Sequence, residues 1–345
     1  MNTKEKIYLE LMTLIHSNKY KFSKEDQVLI DKYLKILGYE LPVSNTKEEI
    51  GIAGYYGQYL IRIEKLVGIE LKENTFQKFK YVEKHLREFI AMKHNGEDIP
   101  LKYLTCKFLD DFEYYLKTIK KQKQVTINKT FQRLRTPIKH AITEGHLKAD
   151  PFILYKNRKV RKLVLFLNTE ELRRMEMYDF NKPVHQLVQD LFVFCCYTGL
   201  PYLEMATLQA ENLVCGFDGQ LWIEILREKT GKKLTVPLLA KANLLIEKYK
   251  DINRETIFPS ISNQRFNLYL KEMANEILIS KRITHHTARK TFASTVLLYN
   301  DVPMEIVSEL LGHSSIVITQ ESYGKVVQKK VSEIMIRLSE RLKEH

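Results

Sequence analysis

Apolar residues recur every three or four positions along most of the chain, with polar residues between them, so the sequence predicts a mainly α-helical protein. In the first stretch, Ser23 is placed as a helix N-cap with Asp26 three residues on. Ile30, Tyr33, Leu34 and Leu37 share the face of a helix that Gly38 ends. A second helix is expected from Glu48 to about Val67. No chemistry is visible in residues 1–72, which read as a small helical arm-like or accessory domain.

From Thr75 the helical period continues. Tyr81, Val82, Leu86, Phe89 and Ile90 make one apolar stripe, and Leu104, Phe108, Phe112, Tyr115 and Leu116 a second. Phe131, Leu134, Ile138, Ala141 and Ile142 make a third, in a helix that Pro137 is expected to kink or restart. This helical domain is assigned to residues 73–165. A third domain, 166–345, follows a strand-like run at Leu163–Phe166. Asn168-Thr-Glu-Glu-Leu172 is a capped helix start, and Leu187–Tyr197 is apolar nearly all round, as a central core helix should be. Leu221–Ile225 and Leu234–Leu238 read as short strands flanking a Lys229-Thr-Gly-Lys-Lys233 tip. The fold class expected is therefore mainly α with one small β-hairpin in the last domain, an α+β arrangement.

Charge adds a partner to this picture. The net charge is +13, and residues 75–165 hold 21 Lys/Arg against 9 Asp/Glu. From Lys117 to Lys162 there are 14 basic residues and 2 acidic ones. A solvated helix face normally mixes signs, so this block points to a polyanion. Nucleic acid fits better than a membrane, because no amphipathic anchor or long apolar run accompanies it. Lys129 and Arg133 on the third stripe's polar side are candidate DNA contacts. Arg158, Lys159, Arg161 and Lys162, in a basic linker, are four more. Cys106, Cys195, Cys196 and Cys215 form no C-x-x-C pair and read as free thiols of a cytoplasmic protein.

Four segments of the last domain carry candidate chemistry: Thr198-Gly-Leu-Pro-Tyr-Leu-Glu204, Arg227-Glu-Lys-Thr-Gly231, Thr284-His-His-Thr-Ala-Arg289, and Leu310-Leu-Gly-His313 with Tyr323 ten residues on. In order and separation they resemble the catalytic half of the tyrosine recombinases, or phage-type integrases. The resemblance is strong over residues 168–326 and looser over 75–165, where the family has a helical core-binding domain. It implies a site-specific DNA recombinase that clamps duplex DNA between two domains and makes a 3′-phosphotyrosyl intermediate. The products would be integration, excision or inversion.

The chemistry explains the residue types. A phenol attacking a phosphodiester needs cations on the non-bridging oxygens as the phosphorane forms, and Arg289 suits that role. His286 could bond the same phosphate or handle the tyrosine proton, and His313 is expected to turn inward after Gly312, with Lys229 protonating the departing 5′ oxygen and Tyr323 as nucleophile. Glu204 and Arg227 are supporting candidates. No cofactor is implied, and no carboxylate or thiolate completes a metal set with His285, His286 and His313. The implied partners are duplex DNA, further copies of the chain in a tetrameric synapse, and accessory DNA-bending proteins.

Two departures from the family pattern stand out. Pro201 occupies the place of the first catalytic arginine, as in integrases of some conjugative elements that lack it. The step from His313 to Tyr323 is one residue longer than in many relatives. A catalytically inactive DNA-binding regulator on the same scaffold, and a type IB topoisomerase, are the alternative readings.

Overall fold

The computed structural model describes residues 50–160, 164–228, 231–251 and 253–343, with residues 13, 30 and 32. The proposed Ser23 cap and most of its helix lie outside the described residues, as do Arg161, Lys162 and Lys229. The chain divides into two compact units, 1–161 and 162–345.

In the first unit, helices α1 (Ile52–Glu64), α2 (Glu73–Lys93), α3 (Cys106–Thr118) and α4 (Gln124–Thr143) enclose one aromatic core. Phe89 packs against Phe108, Phe112 and Tyr115, and Phe112 against Phe131. The expected domain boundary at residue 72 moves upstream. Ile52, Tyr56, Leu60 and Ile63 of α1 are buried in that same core, so α1 belongs to the helical bundle. The sequence hid its start because the cap is remote. Asp98 accepts from the Ala53 and Gly54 amides at 3.0 and 2.8 Å, while Gly51 at the N-cap position offers no side chain. Of the two outcomes expected at Pro137, the restart does not occur: α4 runs through it as one helix. Leu134, Pro137, Ile138 and Ala141 are all buried there, and that packing outweighs the one backbone bond that proline removes.

The second unit opens with α5 (Thr169–Met177), started by the expected cap. Asn168 accepts from the Glu171 amide, and the Glu171 carboxylate accepts from the Asn168 amide, each at 2.8 Å. Of the run expected to be strand-like, the described residues 164–166 are not in a strand, while Leu163 lies outside the described residues. Phe166 and Leu167 are coil, their backbone groups bound by side chains instead of a ladder. Next come α6 (Pro183–Thr198), buried almost all round as expected, and the short α7 (Tyr202–Ala206). A sheet follows in the order β1 (Leu213–Cys215), β2 (Leu221–Leu226), β3 (Lys233–Pro237), antiparallel throughout. Strand β1 is an addition to the expected hairpin, three residues being too short to show an alternation. Helices α8 (Ala240–Tyr249) and α9 (Asn263–Glu276) cover the core. Helix α10 (His285–Thr291) runs into a π-helical turn at Phe292–Leu297. Helix α11 (Met304–Leu310) and the long α12 (Ile316–Arg341) complete the unit.

Candidate active site

Arg289 is the buried centre of the site. Thr284 and Thr287 cap the start of α10 reciprocally, and the His285 amide donates to Asn267 Oδ1 at 2.9 Å. This fixes the first turn so that His286 is exposed and Arg289, one turn on, points inward. One Arg289 Nη donates to the Gly199 carbonyl at 2.6 Å and the other to the Leu311 carbonyl. Two of its five N–H groups are thus used for aim, leaving three for a substrate oxygen. Burial, with Arg227 nearby, pushes Arg289 down to about 10, still charged at neutral pH.

Both carbonyls sit at helix ends bent by glycine. Gly199 ends α6 at φ 69°, with the Phe292 ring where a β-carbon would stand. Gly312, at φ 57°, ends α11 as expected and turns the chain toward His313. The His313 ring bonds through Nδ1 to Thr319 Oγ1 at 2.7 Å, which leaves Nε2 available. Burial and the cations Arg289 and Arg227 hold that imidazole down to about 4, hence neutral at pH 7. Thr319 was not legible beforehand, although it lies one turn before Tyr323 on the same face of α12. Tyr323 is buried beside Phe292, Leu311 and Val307. Burial raises its phenol, and Arg289 acts in the opposite direction, so the two lie within electrostatic reach.

The supporting candidates meet here too. Arg227 follows β2 and continues its ladder, its backbone N–H donating to the Lys232 carbonyl at 2.9 Å. Its Nη1 donates to the Gly312 carbonyl at 3.0 Å, and its Nε lies 3.9 Å from the buried Glu204 carboxylate. Pro201 stands at the N-cap of α7, one turn before Glu204. A cation therefore reaches the neighbourhood of the missing arginine from the hairpin. Arg173 and Arg174, at the start of the second unit, are engaged elsewhere, with Glu170 and the Ile277 carbonyl.

In the first unit, Lys129 and Arg133 line a cavity of about 220 Å³ with Lys78, Tyr81, His85 and Gln122. Arg158 is exposed but lies 3.5 Å from Glu113. Among the described residues no three His, Cys, Asp or Glu side chains converge as metal ligands, and no helix is long and apolar enough to cross a membrane.

A Phage integrase SAM-like domain profile matches residues 54–160, and a Phage integrase family profile matches residues 166–329. The chain is 28% identical over 281 residues to tyrosine recombinase XerD of Oceanobacillus iheyensis, covering 76% of this chain and 90% of that one. It is 25% identical over 281 residues to XerC of the same organism, covering 73% and 90%. Among solved structures, a λ integrase (75–356) dimer bound to a COC′ core site superposes with a TM-score of 0.65 at 18% identity, over 79% of this chain and 95% of that one. The Tn1549 transposon integrase in complex with a circular intermediate DNA gives 0.62 at 15% identity, over 82% and 99%. These likenesses match the mainly helical fold with its small sheet. The chain belongs to the phage integrase family of tyrosine recombinases.

Proposed function

We propose that this protein cleaves and rejoins duplex DNA at specific sites, through a covalent bond between Tyr323 and a 3′ phosphate. The Tyr323 oxygen attacks phosphorus as its phenol proton passes to His286, the bond to the 5′ oxygen breaks, and that oxygen takes a proton, Lys229 being the donor assigned from its place at the hairpin tip. Arg289, with His286 and His313, holds the non-bridging oxygens as negative charge builds. With the Thr319 hydroxyl donating to Nδ1, the neutral His313 carries its proton on Nε2 and donates from there. The phosphotyrosyl bond keeps the energy of the broken phosphodiester, so a 5′ hydroxyl of another strand can reverse the step without an external energy source. Lys129, Arg133, Arg158, Lys159, Arg161 and Lys162 supply phosphate contacts. Four copies in a synapse, with accessory DNA-bending proteins, would complete an integration, excision or inversion.

The observation that carries this reading is Arg289, aimed by the carbonyls of Gly199 and Leu311, within electrostatic reach of both His313 and Tyr323. The arrival of Arg227 from the hairpin favours an active enzyme over an inert DNA-binding scaffold. Incubation with a nicked suicide substrate tests it. A covalent protein–DNA adduct is expected from the wild type, and its absence would leave the regulator reading.

A further inference from the structure

Two threonines in the motif that carries Arg289 take no part in the chemistry above. Thr291 is fully buried and Thr295 nearly so, and both hydroxyls turn to one residue. The Leu167 amide donates to Thr291 Oγ1 at 3.0 Å, and the Thr295 hydroxyl donates to the Leu167 carbonyl. Thr291 in turn donates to the Thr287 carbonyl at 2.9 Å, inside α10. Lys281, just ahead of α10, donates to the Phe166 carbonyl at 3.1 Å and pairs with Glu171, whose carboxylate receives the Asn168 amide. Three consecutive residues at the head of the second unit are thus riveted, chiefly to the segment 281–295 that presents His286 and Arg289.

The chain is fastened at the foot of the first unit as well. The buried Glu113 accepts from the Tyr155 hydroxyl at 2.6 Å and Gln124 Nε2 at 3.2 Å, and pairs with Lys117 and Arg158. Asn128 Nδ2 donates to the Arg158 carbonyl at 2.9 Å. Only residues 159–165 separate the two fastenings, a reach of at most ~30 Å when fully extended. A tether of that length would carry load where the stretches of DNA held by the two units lie near its full reach.

We propose that Thr291 and Thr295 are positioning residues, a joint through which load on the linker sets the pose of Arg289. Cleavage then depends on the first unit's grip on DNA through a mechanical path, and not only through added affinity. This rests on the recombinase reading above. Leu167 is the contact point, and Thr291 lies two residues beyond Arg289 on the same helix.

A double-mutant cycle on the full-length protein tests the joint. One arm is Thr291→Val, which keeps the side-chain shape and removes the hydroxyl. The other slackens the tether by inserting Gly-Ser-Gly-Ser after Val160. Single-turnover adduct formation on a suicide substrate is the readout, with DNA affinity and thermal melting measured in parallel. Each change is expected to slow cleavage about tenfold while affinity stays within threefold, and the pair together should be no slower than the slower single. Thr291→Ser, which restores the hydroxyl, should cleave near the wild-type rate. Fully additive slowing, about a hundredfold for the pair, would overturn the proposal, as would a wild-type rate for Thr291→Val. Should Thr291→Val fail to fold, Thr295→Val replaces it in the cycle and reads the same joint from the Leu167 carbonyl. A wild type that forms no adduct at all refutes the recombinase reading instead.

Discussion

Arg227 Nη1 donates to the carbonyl of Gly312 at 3.0 Å, tying the end of strand β2 to the residue before His313. Arg227 also depresses both Arg289 and His313, so its charge is felt by the groups assigned to the phosphate. We expect Arg227→Ala to slow strand cleavage by about a hundredfold or more, the scale of losing one transition-state donor. Ground-state DNA affinity should change far less. Single-turnover rates on a suicide substrate measure this, and a rate within threefold of wild type would eliminate Arg227 as the substitute for the arginine replaced by Pro201.

Tyr323→Phe removes the nucleophilic oxygen and keeps a ring packed on Phe292 and Leu311. Covalent adduct should vanish, and site binding in a gel-shift titration should stay within a few-fold of wild type. Persistent adduct would assign the nucleophile elsewhere.

The tail of α12 exposes Val331, Met335, Leu338 and Leu342, with Ile336 beside them. Side chains of that kind left in solvent suit a second copy of the chain. Truncation after Gln328 should preserve DNA binding by single protomers and weaken cooperative assembly on a two-site substrate. Unchanged cooperativity would remove the tail from assembly. Val327 and Ile334, which the sequence places on the same stripe, lie among side chains outside those described.

Replacing Arg158, Lys159, Arg161 and Lys162 together by Ala should weaken binding on any sequence. The slope of log affinity against log salt should flatten by roughly one unit per lost phosphate contact. Arg158 gives up its Glu113 pairing to reach DNA, so it should contribute least of the four. A quadruple variant with the wild-type slope would mark the linker as merely solvated.

Acid should destabilise the second unit through His285. Burial, then the neighbouring His286 and Arg289, push its ring down to about 3, and its Nε2 has no hydrogen-bond partner among the described residues. The ordinary value is about 6.5, so between the two the unfolded chain binds a proton that the folded chain refuses. Stability is therefore complete above about pH 6.5 and falls as pH drops toward 3, at up to about 1.4 kcal/mol per pH unit for this one group. The ring stacks edge-on against Tyr202 and Phe266, so His285→Phe keeps the packing and removes the proton site. Melting temperatures between pH 6.5 and 4 should fall less steeply for that variant. Parallel curves would show that other groups carry the acid response.

The helices, the hairpin and the catalytic residue types could be read from the sequence because each rests on a local regularity. The apolar period gave the four-helix core, and Asn168 with Glu171 marked the start of α5. What escaped depends on partners distant in sequence. Asp98 caps α1 from 44 residues away or more. Pro137 looked like a break because local rules cannot weigh the core that surrounds it. Thr319 was unremarkable until the fold placed it against His313. Arg227 lies just beyond β2, and its engagement with Glu204 and Gly312 comes from the fold.

Helix α12 is one unbroken rod from Ile316 to Arg341, with the phenol in its second turn and the solvent-exposed apolar stripe at its far end. Tyr323 and Leu338 are 15 residues apart, about 22 Å at 1.5 Å per residue. A rod of that length acts as a lever pivoting near the nucleophile. A tilt of about 5° sweeps its far end through roughly 2 Å while turning the phenol through the same angle. On the proposed chemistry, whatever grips the tail would steer the angle at which Tyr323 approaches phosphorus, and reactivity would become a reading of occupancy at the tail.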